Sequence, residues 1–135
     1  LNTAARELRK VAPELNIFPS FIWSGIKGLS DLLPQNELEN GLHASLAETS
    51  LMLAIKPEIV GTERPFEGFS QKIPEGWSLE GDSPTAWMTN DLSKSGVVGD
   101  SRGANEKLGN ELRNLIVNHW YKLFLSLMSS DWPNE

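Results

Sequence analysis

The run from Asn40 to Ile55, NGLHASLAETSLMLAI, carries only two strongly ionisable side chains, His43 and Glu48, among apolar and small residues. A segment this apolar has to be covered by other parts of a fold, and an imidazole or a carboxylate taken into it costs free energy unless it finds a partner. Sites that tune proton chemistry accept that cost. Ser45 and Glu48 also stand at the S-x-x-E spacing, in which each side chain satisfies a backbone N–H left unpaired at a helix start. The spacing predicts a helix from about Ser45 through Leu46, Leu51, Met52, Leu53 and Ile55, ending before Pro57. Apolar around most of its circumference, this helix is expected to be buried on more than one side.

On one continuous helix, side chains five positions apart diverge by about 140°. With the helix starting at Ser45, His43 lies instead in the preceding loop, where its ring can turn toward the helix N-terminus or into a neighbouring cleft. Two readings stay open: a shared His43–Glu48 site, or a capping carboxylate beside a half-buried loop histidine.

Around this centre the chain reads as one domain, residues 1–135, with helices and short strands in alternation. A first helix is predicted from Asn2 to Ala12, stopped by Pro13. Leu15 to Trp23, LNIFPSFIW, is rich in β-branched and aromatic residues and is a strand candidate, at an edge or broken in two because of Pro19. Residues 61–94 hold few aliphatic side chains and far exceed the usual connection of about 4–6 residues. Trp77 and Trp87 within that stretch favour an ordered lid or a subunit contact. A short strand is expected at Gly96–Val98, then a Gly-rich turn, then Asn105 as cap of a long last helix. Leu108, Leu112, Leu115, Ile116, Leu123 and Leu127 give that helix one broad apolar face. The class is α/β, with too few strand candidates for a complete sheet.

A net charge of -6 and a pI near 4.9 work against binding a phosphate backbone, so nucleic acid is not an expected partner. No apolar run approaches the roughly 20 residues needed to span a bilayer, and LNTAARELRK lacks signal-peptide order. The absence of cysteine fits a reducing cytoplasm, the expected compartment. The chain opens at Leu1 inside a helical stripe with Ala5, Leu8 and Ala12, as a truncated or processed chain would.

Other chemistry-bearing patterns are missing or mismatched. Gly96, Gly99 and Gly103 match neither G-x-G-x-x-G nor a P-loop, and Asp100 between them would repel phosphate. There is no G-x-S-x-G elbow, no H-E-x-x-H and no paired cysteine. His119 is assigned no chemistry, whereas Trp23, Trp77 and Trp87 are candidates to line a pocket.

The run HASLAETSLMLAIKPEIV resembles the His-Ala-x-x-x-Glu-Thr-Ser-x-Met-Leu signature, with its following Pro and closing Val, of the creatininase (creatinine amidohydrolase) family. A second block, GVVGDSRGANEKLG, is similar to that family's Gly-Val-x-Gly-Asp-Pro turn and the helix after it. The likeness extends from Leu1 to about Leu127 and covers the C-terminal half of a family member. It implies a three-layer α/β/α sandwich, incomplete here, assembled as a homo-oligomer, a hexamer in the family. It also implies hydrolysis of a C–N bond in a cyclic or linear small-molecule amide, with a divalent metal pair, zinc or manganese. By position His43 matches the histidine that moves a proton to or from the substrate amide. Glu48 matches the Glu of the signature, as partner of that histidine or as a metal ligand.

The departures limit what carries over. Most of the family's metal ligands have no counterpart here, so the chain alone is expected to bind no metal pair and to be inactive. The creatinine enzyme's tryptophan ahead of the histidine is replaced by Glu39, which argues against creatinine as substrate. Ser101 replaces a Pro and Asn105 a Thr, and Asn caps a helix at least as well. The contrasting reading is a noncatalytic assembly or interaction module, an inactive homologue.

Overall fold

The computed structural model describes residues 1–67, 74–81 and 83–131. Helix α1 spans Asn2–Val11 and stops as expected ahead of Pro13, with the Ala12 N–H bonded to the Leu8 carbonyl at 3.0 Å. None of its residues is buried. The run after it is not a strand: Leu15 to Trp23 forms extended and turn backbone with Phe18, Phe21 and Ile22 exposed. Pro19 has no N–H for a ladder, and among the described residues no strand lies alongside to accept one. This segment is fastened instead by the Trp120 indole, whose N–H donates to the Ile22 carbonyl at 2.9 Å.

Short helices α2 (Leu29–Leu32) and α3 (Gln35–Asn40) lead into α4 (Leu46–Ile55), which a 3₁₀ turn at Pro57–Ile59 follows. Helix α4 starts where its spacing predicts, but it is less enclosed than its composition led us to expect. Only Ala47 and Ser50 are buried, while Met52 and Ile55 are exposed. Strand β1 (Phe66–Glu67) pairs antiparallel with β2 (Gly99–Asp100), Phe66 opposite Asp100 and Glu67 opposite Gly99. The second strand therefore lies just beyond the predicted Gly96–Val98. Gly96, at φ +88°, turns the chain, and Val98 makes a single antiparallel bridge to His43.

Between the strands lies α5 (Thr89–Leu92), within the long stretch read as a lid; residues 68–73 and 82 of that stretch fall outside the described residues. Its two ends are tied by Glu67. That carboxylate accepts from the Ser93 hydroxyl, the Lys94 and Ser95 N–H groups and the Ser95 hydroxyl, at 2.6–2.9 Å.

The last helix, α6 (Glu106–Met128), is capped by Asn105, whose side chain accepts from the Leu108 N–H at 2.9 Å. It crosses α4 at Gly109. A Cβ there would lie 1.8 Å from the Ser50 carbonyl oxygen, so only glycine permits the approach. Leu33, Ala47 and Leu112 form the centre of the core, with Trp23, Leu29, Leu32, Leu46 and Leu108 packed around it. Beyond Ile116 the apolar face of α6 is uncovered, and Val117, Tyr121, Leu123, Phe124 and Met128 are exposed. The described part is mostly helical with one small sheet, an α/β arrangement. No helix among the described residues is long and apolar enough to cross a membrane.

Candidate active site around His43 and Glu48

The site is built on the entry to α4. Leu42 and His43 run beside Val98: the N–H groups of Leu42 and His43 donate to the Val98 carbonyl, and the Val98 N–H donates to the His43 carbonyl at 2.8 Å. Ala44 then takes φ +49°, a left-handed conformation that costs a residue with a Cβ about 1–3 kcal/mol and persists only where its surroundings enforce it. The first turn of α4 enforces it from both sides. Glu48 Oε2 accepts the Ala44 N–H at 2.7 Å, and the Thr49 hydroxyl donates to the Ala44 carbonyl at 2.8 Å.

The capping box expected from Ser45 and Glu48 does not form in its reciprocal sense. Glu48 reaches back one residue further, to Ala44, and the Ser45 hydroxyl makes no cap bond to α4. That hydroxyl is taken by a residue the sequence pattern does not flag. Ser45 Oγ donates to Glu37 Oε2 at 2.5 Å and accepts the Asp100 N–H at 2.9 Å. Glu37 Oε1 in turn accepts the Ala47 N–H at 2.8 Å. A buried carboxylate from α3 thus caps α4, where the positive end of the helix favours negative charge. The spacing of eight and ten residues fits no local capping rule. Ser50, also buried, accepts the Asn105 N–H at 3.1 Å, so Glu48, Thr49 and Ser50 each tie α4 to a neighbouring segment.

His43 Nδ1 lies 3.8 Å from Glu48 Oε2. The structure therefore brings the two predicted residues together, across the helix entry rather than along one face. The separation is too long for a hydrogen bond and short enough for an ion pair when the ring is protonated. Their side chains are 55% and 40% exposed, so the pair sits at the rim of the fold and not in its interior. It borders a cleft of about 330 Å³ whose other walls include Thr49, Met52, Ile59 and Val60. On its opposite side Glu48 borders a second cavity, of about 190 Å³, with Phe21, Trp23, Leu29, Leu33 and Glu37. Trp23 is thus a pocket residue. Trp77 is exposed, and Trp87 donates its indole N–H to the Leu79 carbonyl at 2.9 Å. His119 packs edge-on against Trp120, away from both spaces.

The Gly-rich turn is closed on itself. Arg102 holds Asp100 through paired hydrogen bonds at 2.8 and 2.9 Å, keeping its carboxyl down at about 2, and lies over the Phe66 ring at 4.4 Å. Ser101 donates its N–H and its hydroxyl to the Pro65 carbonyl. For a metal the donor set is incomplete: among the described residues no three His, Asp or Glu side chains gather where they could hold an ion. His43 and Glu48 are a pair of groups suited to moving a proton, and Glu48 Oε1 is one carboxylate oxygen left over.

The creatininase family, described as creatinine amidohydrolase, matches residues 1–124 of the chain. The crystal structure of a candidate creatinine amidohydrolase from Bacteroides fragilis superposes with a TM-score of 0.68 at 21% sequence identity, over 95% of this chain and 49% of the other. The chain thus spans about half the length of that solved relative, and the likeness is one of fold. No curated protein matches.

Proposed function

Because the chain belongs to the creatininase family, we propose that it contributes the proton-transfer side of an amidohydrolase site, with His43 as the proton carrier and Glu48 as its partner. One observation supports this above the others: the imidazole and the carboxylate meet at 3.8 Å on the lip of a cleft, held there by Val98 on one side and the first turn of α4 on the other. Hydrolysis of an amide needs a proton delivered to the leaving nitrogen as the C–N bond opens, and a histidine supplies it near neutral pH. With Nδ1 toward Glu48, the other ring nitrogen, Nε2, is the one that serves the substrate. Glu48 then faces the ring at 3.8 Å as the negative half of an ion pair once the ring carries the proton.

A metal of the family's kind, zinc or manganese, would supply Lewis acidity and an attacking hydroxide. The described residues do not gather a site for it, and among His43 and its neighbours Glu48 is the one carboxylate that could serve as a ligand. We place the chain in the family's three-layer α/β/α frame, with residues 61–94 as a lid or contact segment. We also assign it a homo-oligomeric state: the exposed Val117, Tyr121, Phe124 and Met128 on α6 favour association. Sedimentation over a range of concentrations tests that assignment, and a monomer throughout would count against it.

The experiment for the activity is to supply zinc or manganese to the protein that contains this chain and to follow ammonia or amine release from simple amides. Metal-dependent release supports the reading. A protein that binds neither ion and hydrolyses none of them favours the noncatalytic assembly module.

A further inference from the structure

We propose that the cleft beside His43 selects amides that carry an aliphatic group and no carboxylate near the scissile bond. This substrate class rests on the reading of His43 as proton carrier. Past the His43–Glu48 pair the cleft turns apolar: Met52 stands one helical turn beyond Glu48, and Ile59 and Val60 face it from the 3₁₀ turn and the residue after it. Met52 and Ile59 are exposed even though such side chains favour burial, 37% and 58% respectively. An apolar ligand group seated between them would remove that surface from water.

The charge of the cleft points the same way. Glu48 is its acidic residue, no Lys or Arg among the described residues lines it, and any charge on His43 is already faced by Glu48, so no cation is left over for a substrate carboxylate, whereas a neutral amide meets no repulsion. About 330 Å³ is in the range of small-molecule sites and exceeds what a bare one-carbon amide would fill. The ends of α4 and of the 3₁₀ turn thus supply specificity, and the entry to α4 supplies the chemistry.

The test reads binding, not turnover. The chain has three methionines, Met52, Met88 and Met128, so methyl-labelled methionine gives one probe inside the cleft and two outside it. Propanamide, butanamide, pentanamide and hexanamide are titrated in turn, with pentanoate as the charged control. The Met52 methyl is expected to shift with an affinity that rises about fourfold per added methylene until the cleft is filled. Pentanoate should bind at least about tenfold more weakly than pentanamide. In Met52→Ser and in Ile59→Ser, both at exposed positions, the chain-length dependence should flatten, and helical circular dichroism confirms that each variant is folded.

Equal affinity across the series, equal binding of pentanoate, or shifts at Met88 and Met128 alone would overturn the inference. Binding with the expected length dependence but no hydrolysis in the metal-supplied protein would instead count against the amidohydrolase reading and leave the cleft's selectivity standing.

Discussion

Ser45 Oγ donates to the buried carboxylate of Glu37 at 2.5 Å, and this contact joins α3, the start of α4 and, through the Asp100 N–H, strand β2. Two neighbouring helices and a strand 55 residues further on therefore meet one residue away from Ala44 and two away from His43. The position of the candidate proton carrier depends on a carboxylate that never reaches the cleft in which it acts.

Glu37→Ala should accordingly destabilise the chain. It removes the acceptor of both the Ser45 hydroxyl and the Ala47 N–H, and each buried group left unsatisfied costs about 1–3 kcal/mol. Urea unfolding measures the loss. Glu37→Gln keeps an acceptor oxygen for the Ala47 N–H and should fall between Ala and the unaltered chain.

The signals that were legible from sequence are the local ones. The helix over Asn2–Val11, the start of α4 at Ser45 and the Asn105 cap all follow from residues within four positions of each other. Glu37 was not legible because its partners lie across two turns, and nothing in its own neighbourhood marks it as buried. Leu15 to Trp23 misleads for a related reason: its composition suits a strand, but a strand exists only where another pairs with it. For His43 and Glu48 the sequence left open a shared pair or two unrelated residues, and the structure brings them within 3.8 Å. The grip of Glu48 on the Ala44 N–H, which replaces the expected cap bond to Ser45, depends on a left-handed residue that no spacing rule announces.

The crossing of α4 and α6 gives a steric prediction. In Gly109→Ala the new methyl would sit 1.8 Å from the Ser50 carbonyl oxygen, so the helices must separate. The expected loss is about 1–3 kcal/mol, as for other overpacked contacts. Gly61→Ala, where a Cβ would meet nothing within 4 Å, is the matched control and should unfold near the unaltered midpoint.

Ser101→Pro, which restores the residue the family pattern favours, should destabilise this chain and not improve it. Proline has neither the N–H nor the hydroxyl that Ser101 directs at the Pro65 carbonyl. Losing both bonds at a buried position is expected to cost about 1–3 kcal/mol in urea unfolding.

The Glu67 clasp makes stability depend on pH in a defined window. Hydrogen bonds from the Lys94 N–H first, then from the hydroxyl and N–H of Ser95 and the hydroxyl of Ser93, hold its carboxyl at about 2, below the usual 4.5. A carboxyl depressed in the folded state stabilises the fold above its unfolded value, and that contribution is lost as pH falls through about 4.5 toward about 2. Thermal melts from pH 7 to pH 2 should show it. In Glu67→Gln the part of the fall that belongs to the clasp disappears, and the variant is already less stable at pH 7.

The most direct test of the central claim compares the two histidines of the chain. The rate of ammonia release from pentanamide is measured in metal-supplied protein for the unaltered chain, His43→Ala and His119→Ala. A positioned proton carrier typically contributes about 10²–10⁴-fold, so His43→Ala should lose activity on that scale while His119→Ala stays near the unaltered rate. A His43→Ala protein that is folded and hydrolyses the amide at the full rate would contradict the account.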